Sequence, residues 1–262
     1  MIIFLHIPKT AGSTFKFILE NNFGVSHCHT NHTKKSVFGK TDLDFAKKVF
    51  PRLRSIAGPN IVDPFQLSAT DPFYITFLRE PVLRVISYYQ HSVVGDKNKK
   101  SFEECLRERK SLENLAVKLI AGERNLDKAK RFIEKCGLVG LTEKFDLSLH
   151  VLERLCPYKL NVNYKRKMFV TDNTIKRSLQ DDNRMIEMAR EYNKLDIELY
   201  SFAVNEVFPR LCEKAGLSPS DEVASYETYT NGIQLKYILG RLYNKLFYRQ
   251  ICKIRYKNSV AG

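Results

Sequence analysis

No Cys-x-x-Cys pair, internal repeat or low-complexity linker occurs in this chain. Its six cysteines (Cys28, Cys105, Cys136, Cys156, Cys212 and Cys252) are scattered. That spacing offers neither a disulfide framework nor a zinc site, and the thiols read as reduced, in a cytosolic setting. Long hydrophobic runs are missing as well. The apolar opening, Met1 to Ile7, is too short for a secretory signal, and no later stretch reaches the roughly 18 to 20 apolar residues that a spanning helix needs. The expectation is a cytoplasmic protein with no transmembrane anchor. Acidic residues are absent from Asn231 to Gly262, 32 residues that carry seven basic ones, half of the net charge of +14.

The composition itself, 44% hydrophobic and 27% charged over 262 residues, suits one large globular domain with a substantial core. IIFLHI, residues 2–7, is a short apolar run with β-branched residues, as expected of a buried parallel strand. Ser13 to Asn22 has helical spacing at Phe15, Ile18 and Leu19, with Gly24 as its C-cap. Residues 25–41, rich in His, Thr, Asn and Lys, read as an exposed loop. Further strands are expected at 53–57, at PFYITFL (72–78) and in GLVGLTEKF, with helices between them and over most of 182–215 and the tail. Strands alternating with helices predict an α/β fold with a mostly parallel central sheet flanked by helices and a helical C-terminal part. The expected division is one domain over residues 1–230 and a basic amphipathic tail over 231–262.

Between the first strand and the first helix stands PKTAGST. A strand, a short turn and a helix start bring backbone N–H groups around one concavity of positive potential, which suits a phosphate-like anion. Gly12 allows close backbone approach, Ser13 and Thr14 add hydroxyls, and Lys9 adds a mobile positive charge. This is not the nucleotide-triphosphate loop G-x-x-x-x-G-K-[ST], because the lysine comes before the glycine. TFLREPVLRVISYYQ repeats the strand, turn and helix order, with Arg79 at the strand end and Ser87 inside the helix. In doubly wound sheets both turns open on one crevice.

Together the two segments resemble the sulfotransferases that use 3′-phosphoadenosine 5′-phosphosulfate (PAPS), in particular the carbohydrate O-sulfotransferases of the heparan sulfate 2-O type and their bacterial relatives. In that family a P-K-T-[AG]-[GS]-[ST]-[ST] turn holds the 5′-phosphosulfate and an R-x-P-x-x-R-x-x-S-x-Y segment holds the 3′-phosphate. The first stands here as Pro8 to Thr14, the second as Arg79, Pro81, Arg84, Ser87 and Tyr89. Weaker likenesses at ENLAVKLIAG, VGLTEKFDLSL, NYKRK and LDIELYSFA extend the resemblance to about residues 2–205.

The resemblance implies a P-loop-NTPase-like sulfotransferase fold, PAPS as sulfate donor and a carbohydrate hydroxyl as acceptor, with no metal. It also implies a donor site of Lys9, Thr10, Ala11, Gly12, Ser13, Thr14, Arg79 and Ser87, with Lys165 and Arg166 closing over the nucleotide. Lys9 would stabilise the charge that develops on the bridging oxygen, in the manner of an oxyanion hole. Family members commonly supply a general base as a histidine after a glycine just past the second strand, or as a glutamate. Here Pro59 follows Gly58, and proline accepts no proton. His29, then His32, in the polar loop, are the nearest candidates by residue type, with Asp63 as a carboxylate alternative. His6 reads as structural, and His91 lies on the helix after Ser87.

In the tail Arg241, Lys245, Arg249, Lys253 and Lys257 recur every four residues beside Leu235, Ile238, Leu239, Leu242, Leu246, Phe247, Ile251 and Ile254. One reading is a peripheral contact with the inner face of a membrane, near a polysaccharide or lipid-linked glycan. The other is a helix packed on the domain. A catalytically inactive nucleotide- or polyanion-binding protein and a P-loop-like kinase are the alternative functions; the order of Lys9 and Gly12 speaks against the kinase. No nucleic-acid reading motif is present, and a polyanionic glycan accounts for the positive surface.

Overall fold

The computed structural model describes residues 1–95, 99–164, 174–227 and 235–256. Its strands are β1 (Ile2–Leu5), β2 (His27–His29), β3 (Ser55–Gly58), β4 (Phe73–Leu78) and β5 (Leu138–Leu141). They form one sheet in the order β2-β3-β1-β4-β5, and every pairing is parallel. β1, β3 and β5 are buried along their whole length, as apolar runs covered on both faces must be.

The helices of the first half are α1 (Gly12–Phe23), α2 (Lys40–Val49), α3 (Pro81–Val94), α4 (Phe102–Glu108), α5 (Leu115–Ala121) and α6 (Leu126–Glu134). Those of the second half are α7 (Phe145–Leu155), α8 (Thr174–Gln180), α9 (Asn183–Tyr192), α10 (Lys194–Phe202), α11 (Phe208–Lys214), α12 (Leu235–Leu242) and α13 (Arg249–Arg255). A π-helical turn joins α10 to α11, and another, Tyr243–Tyr248, joins α12 to α13.

The strand order places the crevice. From β1 the chain leaves towards β2 and β3 on one side; from β4 it leaves towards β5 on the other. Adjacent strands whose connections diverge leave a gap beyond their carboxyl ends, where α/β proteins bind ligands. Below that gap Phe4, Phe15, Phe77 and Phe145 form a chain of ring contacts with centroid separations of 4.7, 5.1 and 5.1 Å, locking α1 and α7 to the sheet. A smaller apolar cluster of Val82, Val85, Ile86, Phe102, Leu106 and Ala189 fastens α3, α4 and α9 together.

One expectation is corrected. The stretch 25–41 is not an exposed loop: it contains β2, and His27, Cys28, His29, Thr30, Thr33 and Phe38 are buried. Its polar groups are satisfied internally, which polarity alone does not reveal. The His27 ring meets Ser55 Oγ at 2.7 Å, the Thr30 hydroxyl donates to Asn60 Oδ1 at 2.5 Å, and the Asn60 amide donates back to the Thr30 and Lys35 carbonyls.

The tail packs on the domain through Tyr237, Gly240, Asn244, Tyr248 and Cys252. Gly240 lies flat on the chain at Gly24; a Cβ there would come within 2.4 Å of the Gly24 carbonyl carbon. All six cysteines are free thiols, and no helix among the described residues is long and apolar enough to cross a membrane.

Candidate active site

The turn after β1 is strained. Lys9 and Ala11 both adopt left-handed backbone angles, φ 72° and 62°, which cost non-glycine residues about 1–3 kcal/mol each. Thr10 holds the turn in place: it is fully buried, and its hydroxyl donates to the Ile7 carbonyl at 2.8 Å. Ala11 is the N-cap of α1, and its methyl group offers no acceptor to the first N–H groups of the helix. The N-cap side chain therefore makes no bond to the first amides of α1, whose positive end faces the crevice. Ser13 is half-buried and Thr14 buried in that first turn.

Gly12 has a use that the sequence did not show. The space a side chain would take is filled by the His6 ring, which a Cβ would approach to 1.9 Å. The Nδ1 of that ring is buried without a hydrogen bond.

Arg79, just past β4, reaches across the gap and donates from Nη1 to the Lys9 carbonyl at 3.2 Å. This bond joins the two sequence motifs at the point where the connections diverge. The next turn is built differently from the first. Glu80 caps α3 with its own carboxylate, accepting from the amides of Val82 at 3.1 Å and Leu83 at 2.6 Å, while Pro81 starts the helix. The N-terminus of α3 is thus occupied by an internal anion; Arg79 stands beside it at the strand end, and Ser87, further along the helix, is half-buried. Burial lowers the Arg79 pKa and the nearby Glu143 and Glu80 oppose that shift. Glu143 in turn accepts from the Glu80 amide and the Tyr200 hydroxyl.

Arg84, a position of the second motif, is not at the surface of the crevice. It is buried, donating to Asn193 Oδ1 at 2.9 Å and lying 3.5 Å from Asp196 Oδ2. Asp196 also accepts from the amides of Ala116 and Val117, so the pair ties α3, α5 and α10 together beneath the turn. A small pocket there is lined by Ile7, Thr10, Arg79, Arg84, Asp196 and Tyr200. A larger cavity, about 570 Å³, lies between α4 and α9 beside Leu106, Met188 and Tyr192, and holds none of the motif residues.

The candidate bases are placed as follows. Pro59 is exposed, and the next residue, Asn60, is spent on the Thr30–Lys35 backbone. His29 ends β2, two strand spacings or about 10 Å across the sheet from β1. It is buried, and its Nε2 lies 3.2 Å from Glu20 Oε1. Asp63 is buried and paired with Lys128 at 2.7 Å. His32 and His91 are half-buried. Lys165 and Arg166 lie outside the described residues. Sequence reasoning missed Glu80, Asp196 and Glu20; the first had a local signal, a carboxylate directly before a proline-led helix, Asp196 acts across distant segments, and Glu20 meets its partner only where α1 packs beside β2.

Residues 1–203 match the model of the family described as "Sulfotransferase family". The chain is 23% identical to heparan sulfate 2-O-sulfotransferase hst-2 of Caenorhabditis elegans, covering 85% of this chain and 83% of that one. It is 25% identical to heparan sulfate 2-O-sulfotransferase 1 of Pongo abelii, covering 60% of this chain and 55% of that one. The matched span takes in the turn after β1, the crevice and the buried arginine pair beneath it, and it covers well over half of the chain: the protein belongs to the sulfotransferase family.

Proposed function

We propose that this protein transfers a sulfuryl group from PAPS to a hydroxyl of a carbohydrate. The observation that carries the reading is the bond from Arg79 to the Lys9 carbonyl, which sets the turn after β1 beside the strand end that carries Arg79 at the divergent point of the sheet. The uncapped start of α1 fits the phosphosulfate end of the donor, and Arg79 and Ser87 fit its 3′-phosphate. Lys165 and Arg166 are assigned to the same nucleotide on the sequence resemblance.

The donor, when bound, supplies the sulfuryl group, and its departure leaves negative charge on a phosphate oxygen. Lys9 and the first amides of α1 neutralise that charge by fixed placement, with little reorganisation. Arg79 and Ser87 orient the nucleotide so that the acceptor hydroxyl meets the sulfur in line, its bond to sulfur forming as the sulfur–oxygen bond to the phosphate breaks and its proton passing to a base in the crevice or to water. No step of this scheme uses a metal ion.

A carbohydrate acceptor is supported by the relatives, both named for heparan sulfate, and by the net charge of +14, which draws a polyanionic glycan to the surface. The tail supports a cytoplasmic, peripheral place on the inner face of a membrane, close to a lipid-linked or polymeric acceptor. The test is transfer of labelled sulfate from PAPS to a panel of glycans, with Lys9→Ala as control. Tight nucleotide binding without transfer to any acceptor would favour an inactive binding protein, and turnover of ATP with magnesium would favour a kinase.

A further inference from the structure

Glu20, His27 and His29 each bring one ligand atom to within 4.8 Å of the others. Two elements supply them. In a strand, residues two apart point to the same face, so the His-Cys-His of β2 presents both imidazoles together, their centroids 4.8 Å apart. Glu20 comes from α1, with its Oε1 3.2 Å from His29 Nε2.

His27 is fully buried. Its Nδ1 is engaged by Ser55 Oγ at 2.7 Å, while its Nε2 has no hydrogen-bond partner. A buried ring nitrogen without a partner is uncommon and is expected to have a use. With Nδ1–H donating to Ser55 Oγ, the Nε2 lone pair is left available, the arrangement found behind metal-bound histidines.

We propose that Glu20, His27 and His29 form a binding site for a divalent transition-metal ion of the zinc class, which fastens the edge strand β2 to α1. Two imidazoles and one carboxylate are a donor set suited to zinc, with a fourth position left for water or for His32, whose ring lies 5.5 Å from that of His29. The positive groups whose fields reach the cluster are Lys16, one turn before Glu20 on α1, and Arg241 of the tail. Burial lowers the Lys16 pKa, and Glu20 opposes that shift. A bound cation takes over the neutralisation of Glu20, and the flexible lysine stem yields the space. The site is structural and separate from the sulfuryl-transfer scheme: Glu20 lies eight residues, or about 12 Å of helix, from the start of α1 at the crevice.

The test is a titration of chelator-treated, full-length protein with Co²⁺, read by its visible absorption, and with Zn²⁺, read by thermal melting. The expected result is one equivalent bound with the spectrum of a nitrogen and oxygen site and a higher melting temperature with Zn²⁺. His27→Ala abolishes both. Glu20→Gln, which leaves the core untouched, weakens binding at least about tenfold, and Ser55→Ala weakens it by about 10- to 100-fold. Equal affinity in wild type, Glu20→Gln and Ser55→Ala, a thiolate absorption band pointing to the cysteines, or no binding at all would overturn the proposal.

Discussion

The side-chain amide of Asn244 stands where a sixth strand would pair with β2: its Nδ2 donates to the His27 carbonyl at 2.8 Å and its Oδ1 accepts from the His29 amide at 3.1 Å. An open sheet edge presents a row of such groups, and proteins cover it to avoid association with other chains. Here Asn244 of the C-terminal tail does so, reached across 215 positions of sequence.

Asn244→Leu, close in size, removes both bonds and leaves two buried backbone groups without partners. The expected loss is about 1–3 kcal/mol in urea unfolding, whereas Lys245→Ala at the exposed neighbouring position changes stability by less than about 0.5 kcal/mol. Equal losses in the two variants would mean that the tail does not cover the edge.

Lys9→Ala tests the anion turn. In the proposed scheme Lys9 neutralises charge that develops in the transition state, so kcat for sulfuryl transfer is expected to fall by about 10²- to 10³-fold while the melting temperature stays unchanged. A normal kcat in the variant would remove Lys9 from the scheme.

Asp196→Ala takes the anion from the fully buried Arg84 and the acceptor from two amides at the start of α5. Breaking a buried pair on one side leaves an uncompensated charge, and the expected cost is about 3–5 kcal/mol, measured by chemical unfolding. A cost below about 1 kcal/mol would show that the arginine finds other support.

Acid should destabilise the fold through His6. Burial, with Lys16 adding to it, lowers the His6 pKa from 6.5 to about 3. Between those values the unfolded chain takes up a proton that the folded chain refuses. The contribution to stability is therefore complete above pH 6.5 and is lost as the pH falls towards 3, by up to about 1.4 kcal/mol per pH unit. In NMR titration the His6 ring should stay neutral across pH 6.5; a normal midpoint there would contradict this.

The outer face of the tail should bind anionic lipid. Leu235 (71% exposed), Leu246 (63%) and Ile254 (78%) stand in solvent with Ile238, Leu239 and Leu242, among basic residues and no acidic ones. A second copy of the same segment would bring like charge against like charge, whereas an anionic bilayer complements both the charge and the apolar strip. Flotation with vesicles containing phosphatidylglycerol should show binding that Leu242→Asp with Leu246→Asp reduces at least tenfold, and that neutral phosphatidylcholine vesicles do not support. Equal flotation of the two proteins, or a concentration-dependent dimer in place of lipid binding, would reject this role.

Much of the layout can be read from consecutive residues. The runs that become β1, β3, β4 and β5 are rich in apolar and β-branched side chains, and the helices between them carry their own periodicity and stop signals at Gly24 and Pro51. The place of PKTAGST between β1 and α1 and of Arg79 at the end of β4 was legible because a strand, a turn and a helix start are made by neighbours in the chain. His27, Cys28 and His29 were not: nothing local separates a polar loop from a strand whose polar groups find partners elsewhere.

Those partners come from folding. Ser55 settles the His27 ring, Asn244 completes the edge of β2, Asp196 draws Arg84 into the interior, and the His6 ring claims the space above Gly12. The same residue types could have faced water, where each would pair with solvent at little cost. What places them inside is the burial of the apolar surface around them, which withdraws water and leaves every polar group dependent on a partner brought from a distant part of the chain. Local pattern therefore set the elements and the turn after β1, and long-range packing set which of the histidines, arginines and carboxylates reach the crevice and which serve as framework.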